Sequence, residues 1–164
     1  MMHGQKIIEF WNTFNQEIYI KIPNYSIYDT QHPDGTARGG TAIITNGIKH
    51  HLHGHYNLEH LQASSVNIED WVGPLTIAVV YCPKHAIKAE QFLSFGGTLV
   101  QRFLAGGDYN AKHCHWGSRL FTPKGPELFK AMHTNNLIWY DTIYFMVTPC
   151  IKQCWNLFLT NWCT

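Results

Sequence analysis

Apolar runs along the chain predict strands more often than helices. Leu75 to Tyr81, LTIAVVY, is a dense β-branched run that predicts a buried central strand. Gln62 to Ile68 alternates approximately, through Ala63, Val66 and Ile68, and predicts a second strand. Thr41 to Ile44 reads as a third, preceded by the flexible pair Gly39-Gly40, and Tyr25 to Tyr28 as a short fourth after Pro23-Asn24. Phe103-Leu104-Ala105 predicts a short buried strand ended by Gly106-Gly107. Two segments carry helical spacing. Ile87, Ala89, Phe92, Leu93 and Phe95 predict a helix closed by Gly96-Gly97. Leu128, Phe129 and Met132 give a second helix one apolar face, with Pro126 at its first position and Asn135-Asn136 at its end. Turn chemistry separates these elements: Gln31 to Gly35, the hairpin-type pair Asn46-Gly47, and Gly73-Pro74. The first twenty residues show no clear period. Strands, helix, strand, helix is a mixed α/β order, with sheets partly covered by helices.

Composition narrows the class. The 164 residues suit one domain with a real core. A formal net charge of +1 excludes a strongly basic nucleic-acid tail and an acidic disordered tail. Charged residues are only 14% and aromatics as many, the reverse of a disordered chain. Five cysteines, an odd number without a CxxC pair, favour a reduced intracellular setting, nuclear or cytoplasmic. No secretory leader and no transmembrane run are evident. The nearest stretch, Leu137 to Trp162, is broken by Asp141, Lys152, Gln153 and Asn156.

The segment with the most chemistry is Gly106-Gly107-Asp108-Tyr109-Asn110-Ala111-Lys112-His113. A buried strand delivers an Asp and an Asn two residues apart, and the glycines let the backbone turn tightly. An ionised Asp can hold or deprotonate a water, and an Asn amide can donate to a phosphate oxygen. Alone, Asp-x-Asn after Gly-Gly is more often a turn or a cap.

The segment does not stand alone. GGDYNAKHCHWGSRLFTPKGPEL resembles the signature of the endonuclease domain of jockey-type non-LTR retrotransposons, members of the endonuclease/exonuclease/phosphatase superfamily. IKIPNYSIYDTQHPDGTARGGTAII resembles a second block of that family, and LTIAVVYCP its strand ending in VYxPP. The three blocks stand in the family's order between Ile20 and Leu137. The resemblance implies a two-sheet α/β sandwich, incomplete here, in residues 20–137, with divergent segments at 1–19 and 138–164. It implies Mg2+- or Mn2+-dependent nicking of DNA by water attack on a phosphodiester. By the same resemblance Asp108 orients or activates the water, Asn110 binds the phosphate, and Tyr81 lies beside it. His113 and Trp116 shape the presenting loop. Arg38, Lys112 and Arg119 are candidate contacts to the DNA backbone from charge alone.

Departures from the pattern matter as much. The family's first strand, with its Asn, falls before the start of this sequence. The metal-binding Glu of the next strand aligns with Trp11, and Glu9 takes that place only with a two-residue insertion. The closing Asp-His pair has no counterpart after Leu137, and Lys84 replaces the second proline of VYxPP. With part of the catalytic set missing, the nicking expected of this chain is impaired, and a non-catalytic remnant that at most binds nucleic acid stands as the alternative. A phosphoesterase acting on lipids or small molecules fits the RGGTAII and NAKHCHWGS blocks less well. His50, His51, His53, His55 and His60 invite a metal reading, but Gly54 and the surrounding turn residues argue for a loop between strands. His113, Cys114 and His115 are too close in sequence to act easily as three ligands. Trp71, Trp116 and Trp139 read as core or loop packing.

Overall fold

The computed structural model describes residues 8–10, 21–35, 39–99, 102–134, 138–140 and 145–147; the first segment and the last two are described as strand pairing alone. Among the described residues, nine strands and two α-helices form two facing sheets with the helices on one outer side. The strands are β1 (Ile8–Phe10), β2 (Ser26–Gln31), β3 (Gly40–Thr45), β4 (His50–Leu58), β5 (Leu61–Asp70) and β6 (Gly73–Tyr81). Helix α1 (Ala89–Thr98), β7 (Phe103–Asp108), helix α2 (Lys124–Thr134), β8 (Ile138–Tyr140) and β9 (Phe145–Val147) follow. The first sheet is ordered β1-β3-β2 and the second β4-β5-β6-β7-β9-β8. Among the described residues only β6 and β7 pair in parallel, joined by the crossover through α1. This is the layered arrangement expected of an α/β sandwich.

Alternation assigns the faces of the second sheet. Ala63, Ala78, Val80, Phe103 and Ala105 pack with Phe92 and Phe95 of α1 and with Leu128 and Met132 of α2. Val66, Ile77 and Val79 turn the other way and meet Ile43 of β3. Gln62, Tyr81 and Asp108 are register partners across β5, β6 and β7. By the same alternation they lie on the face turned to the first sheet, at its edge.

Several local expectations are corrected. Asn46-Gly47 closes no hairpin: β3 and β4 belong to different sheets, so the turn carries the chain from one layer to the other. His50 to His55 is part of strand β4, not a loop, because β5 pairs it and a bulge between Leu52 and Gly54 absorbs the irregularity. The turn after β5 is Trp71-Val72, and Gly73-Pro74 already begins β6. Proline is tolerated there because it is the second residue of its strand. Helix α1 runs through Gly96-Gly97, and β7 through Gly106-Gly107, because packing on both sides outweighs glycine's local preference. Helix α2 begins at Lys124, two residues before Pro126. Trp71 is 75% exposed, not core, whereas Trp116 is buried. The side chain of Trp139 lies outside the described residues.

Candidate nuclease site

The parallel pair β6–β7 ends at Tyr81 and Asp108, which face each other in register. Gly107 is what lets the strands close this tightly. Its φ is 141°, and a Cβ there would lie 1.9 Å from the carbonyl oxygen of Val80. The next residue but one, Tyr109, is fully buried and donates its hydroxyl to the Ala105 carbonyl at 3.3 Å. With Tyr109 anchored inward, Asp108 and Asn110 are left half-buried at the rim.

Asp108 and Asn110 form a closed turn. The Asn110 backbone N–H donates to Asp108 Oδ1 at 2.8 Å, and Asn110 Nδ2 donates to Asp108 Oδ2 at 3.1 Å. Asn110 sits at φ 49°, a left-handed conformation that asparagine tolerates better than most residues. Its Nδ2 also donates to the Cys82 carbonyl at 3.0 Å, while the Cys82 N–H donates to the Asp108 carbonyl at 2.8 Å. The ends of β6 and β7 are thus stitched together just beyond the sheet. Both Nδ2 hydrogens of Asn110 are engaged, so a phosphate must displace one of these bonds to be bound by this amide.

Electrostatics keep the neighbouring acids protonated. Burial, with Asp108 and Cys82 adding to it, pushes the Tyr81 phenol above its ordinary value. Burial pushes the Cys82 thiol up to about 12, so it is no nucleophile. Tyr81 therefore remains a hydrogen-bond donor at neutral pH. Gly39 opens space over it: a Cβ at Gly39 would lie 2.5 Å from Tyr81 Cε1 and 3.2 Å from Gln62 Oε1.

Other predicted residues take these places. Lys112 and Arg119 are exposed and make no ion pair among the described residues. Thr122 ties their loop to the turn: its hydroxyl accepts from the Lys112 N–H at 2.8 Å and donates to the Asn110 carbonyl at 3.3 Å. Arg38 lies outside the described residues. Glu9 is opposite Ile43, three positions along β3 from the Gly40 end; its side chain lies outside the described residues. His113 is buried, stacked on Phe129 at 4.7 Å, and its Nδ1 accepts from the His115 N–H at 3.3 Å. Burial, then His115, holds its pKa below the ordinary histidine value. Trp116 closes the same turn.

The metal-ligand possibilities are limited. His113, Cys114 and His115 bring their ligand atoms within 4.8 Å of one another, and they are the one such group among the described residues. His113 Nδ1 is already committed as the cap of the 3-10 turn Cys114–Trp116. The histidines of β4 and its hairpin are hydrogen-bonded to neutral groups, and His51 and His53 share the Asn67 amide at 3.3 Å each. His50 meets Thr45, His55 meets Thr30, and His60 meets Gln91.

Two residues escape a reading of the sequence. Gln62 is fully buried; its Nε2 donates to the Leu58 carbonyl at 2.7 Å, and its Oε1 has no hydrogen-bond partner among the described residues. Its signal is its place in the β5 alternation, two before Ser64 and four before Val66. Lys124 is 4% exposed, and its ammonium donates to the carbonyls of Cys82, at 3.1 Å, and Pro83. Its signal is i,i+4 spacing to the buried Leu128, which puts it on the apolar face of α2.

Comparisons with known proteins agree with this fold. A family model described as endonuclease-reverse transcriptase matches residues 75–149. The RNA-directed DNA polymerase from mobile element jockey of Drosophila melanogaster is 36% identical over 115 residues, which cover 69% of this chain and 12% of that protein. Its Drosophila funebris counterpart is 37% identical over 112 residues, covering 66% and 12%. The chain thus spans 12% of the length of these two relatives. Among solved structures, the endonuclease domain of TRAS1, a telomere-specific non-LTR retrotransposon, aligns with a TM-score of 0.62. At 15% identity, over 88% of this chain and 73% of that domain, it shows the shared fold.

Proposed function

The chain is related to the endonuclease domain of jockey-type non-LTR retrotransposons, and on that premise we propose that it nicks DNA by hydrolysing one phosphodiester bond. The activity would reside in residues 20–137, flanked by 1–19 and 138–164, and act on DNA inside the cell. One observation carries the reading. Asp108, Asn110 and Tyr81 converge at the end of the parallel pair β6–β7, with Asn110 hydrogen-bonded to Asp108 and to the Cys82 carbonyl next to Tyr81.

The residues divide the work by their chemistry. Asp108 holds a water through its carboxylate and takes its proton as the oxygen attacks phosphorus. The bond from phosphorus to the leaving deoxyribose oxygen breaks, that oxygen takes a proton from solvent, and Asp108 returns its own proton to solvent. Tyr81, kept protonated by burial and by Asp108, donates to a phosphoryl oxygen. Asn110 exchanges its 3.1 Å bond to Asp108 Oδ2 for the phosphate, which also frees that carboxylate oxygen for the water. Lys112 and Arg119 contact neighbouring phosphates, with Arg38 as a further cation.

The candidate donors in this register row are hard oxygens: the Asp108 carboxylate and, two strands away, Gln62 Oε1, which has no hydrogen-bond partner among the described residues. That set suits Mg2+ or Mn2+ and not a thiophilic cation. Held there with Glu9, such an ion would neutralise charge developing on the phosphoryl oxygens. Among the described residues no helix is long and apolar enough to cross a membrane.

A second reading, a remnant that binds nucleic acid without cutting it, is favoured by the register of Glu9, three positions from the Gly40 end. Supercoiled-plasmid nicking with Mg2+ separates the two. Nicking should fall about 10²–10⁴-fold in Asp108→Ala and vanish with EDTA. A wild-type rate no higher than that of Asp108→Ala would leave only the binding reading.

A further inference from the structure

Lys124 is the one buried ammonium of the described residues, and nothing in the proposed hydrolysis uses it. It is not a lysine whose stem lies on apolar surface while its head reaches water, because the whole residue is 4% exposed. No carboxylate pairs with it among the described residues; its partners are two backbone carbonyls, of Cys82 and Pro83. A buried cation without a carboxylate partner is costly, and a methionine would fill much the same space without that cost. Burial pushes its pKa below the ordinary lysine value, while Cys82 and Asp108 oppose that shift.

Its partners explain its placement. The Cys82 carbonyl receives two donors, the Lys124 ammonium and Asn110 Nδ2. The residue beside it, Gly125, is pressed so closely on the Lys112 carbonyl that a Cβ would lie 2.1 Å away. The first turn of α2 therefore grips both chain segments that carry the site: the end of β6 and the extension of β7. With the reading above as its basis, we infer that Lys124 is a positioning residue. Its ammonium draws the Cys82 and Pro83 carbonyls onto α2 and thereby holds Tyr81 in register with the Asp108–Asn110 turn. Its positive charge, behind the turn, also offsets part of the charge that Asp108 and an incoming phosphate bring together.

The test compares wild type with Lys124→Met, which keeps the length and removes the charge and donors. Two readouts are needed. Amide hydrogen exchange at Cys82 and Asn110 reports the stitch directly and needs no catalysis. Exchange there should speed up about tenfold or more, while Ser64 and Val66 in β5 stay as protected as before. In the nicking assay kcat should fall about tenfold or more with KM unchanged, the mark of groups mispositioned for the transition state. If Lys124→Met does not fold, Lys124→Ala with propylammonium replaces it. Restoration of Cys82 and Asn110 protection by propylammonium, and not by sodium chloride at equal ionic strength, is then the expected result. Unchanged exchange at Cys82 and Asn110, or an equal rise at Ser64 and Val66, overturns the inference. A wild type that does not nick defeats the nuclease reading alone, and the exchange measurement still decides what Lys124 does.

Discussion

Gly107 is the residue on which the site's geometry turns. Its φ of 141° belongs to glycine, and the Val80 carbonyl occupies the space where a Cβ would stand. Gly107→Ala should cost about 3 kcal/mol or more, since backbone strain and a steric clash fall on one residue. A urea midpoint unchanged from wild type would refute this. Gly97 is the opposite case. It lies inside α1, exposed, and a Cβ placed on it would meet nothing within 4 Å. Gly97→Ala should raise stability by about 0.5–1 kcal/mol through lower backbone entropy in the unfolded chain, visible as a higher urea midpoint at constant slope. The hydrophobic pattern marks both Gly-Gly pairs as terminators and does not separate them. Glycine's freedom is a property of the residue, and its use is a property of the neighbours.

Among the elements, β7 joins the core to the site. Leu104 is buried on the face toward the first sheet, opposite Ile77. Leu104→Ala should destabilise by about 2–5 kcal/mol, read as a shift in the urea midpoint. The elements themselves are largely legible, because strands such as LTIAVVY announce burial on both faces through β-branched density. Strand β4 is not legible: its histidines are polar, and it forms by pairing with β5 along its whole length. The exposed Trp71 departs from its expected place for a related reason. A two-residue turn between β5 and β6 must point its side chains outward, whatever their hydrophobicity.

At the level of the whole molecule, Asp70 and Arg102 tie the β5–β6 turn to the segment entering β7. Arg102 Nη2 meets Asp70 Oδ2 at 2.7 Å, both groups being largely buried. The Arg102 hydrogen bond is the main cause that holds the Asp70 carboxyl below its ordinary value of 3.8, with the N–H groups of Val72 and Gly73 assisting. A carboxyl lowered in the folded state gives stability that is full above its unfolded value and is lost as pH falls through the folded one. Stability should therefore decline below about pH 4, and Asp70→Asn should flatten that part of the curve; urea titrations of both proteins across the acid range would show it. An identical acid slope in the two proteins would contradict this assignment.

The sequence by itself determined the α/β class, the order of the main strands and helices, and the GGDYN segment as the place for chemistry. These are local: alternation, β-branched density and turn residues act over a few positions. The ordered family blocks added Asp108, Asn110 and Tyr81 as a set. Only the tertiary structure decided that Asn46-Gly47 changes sheets, that Gln62 shares a row with Tyr81 and Asp108, and that Lys124 lies beneath the Cys82 carbonyl. Those facts depend on partners 19 to 46 positions away in sequence. A buried lysine or glutamine has the same letter as an exposed one; what distinguishes it is the desolvation it undergoes when distant segments close over it.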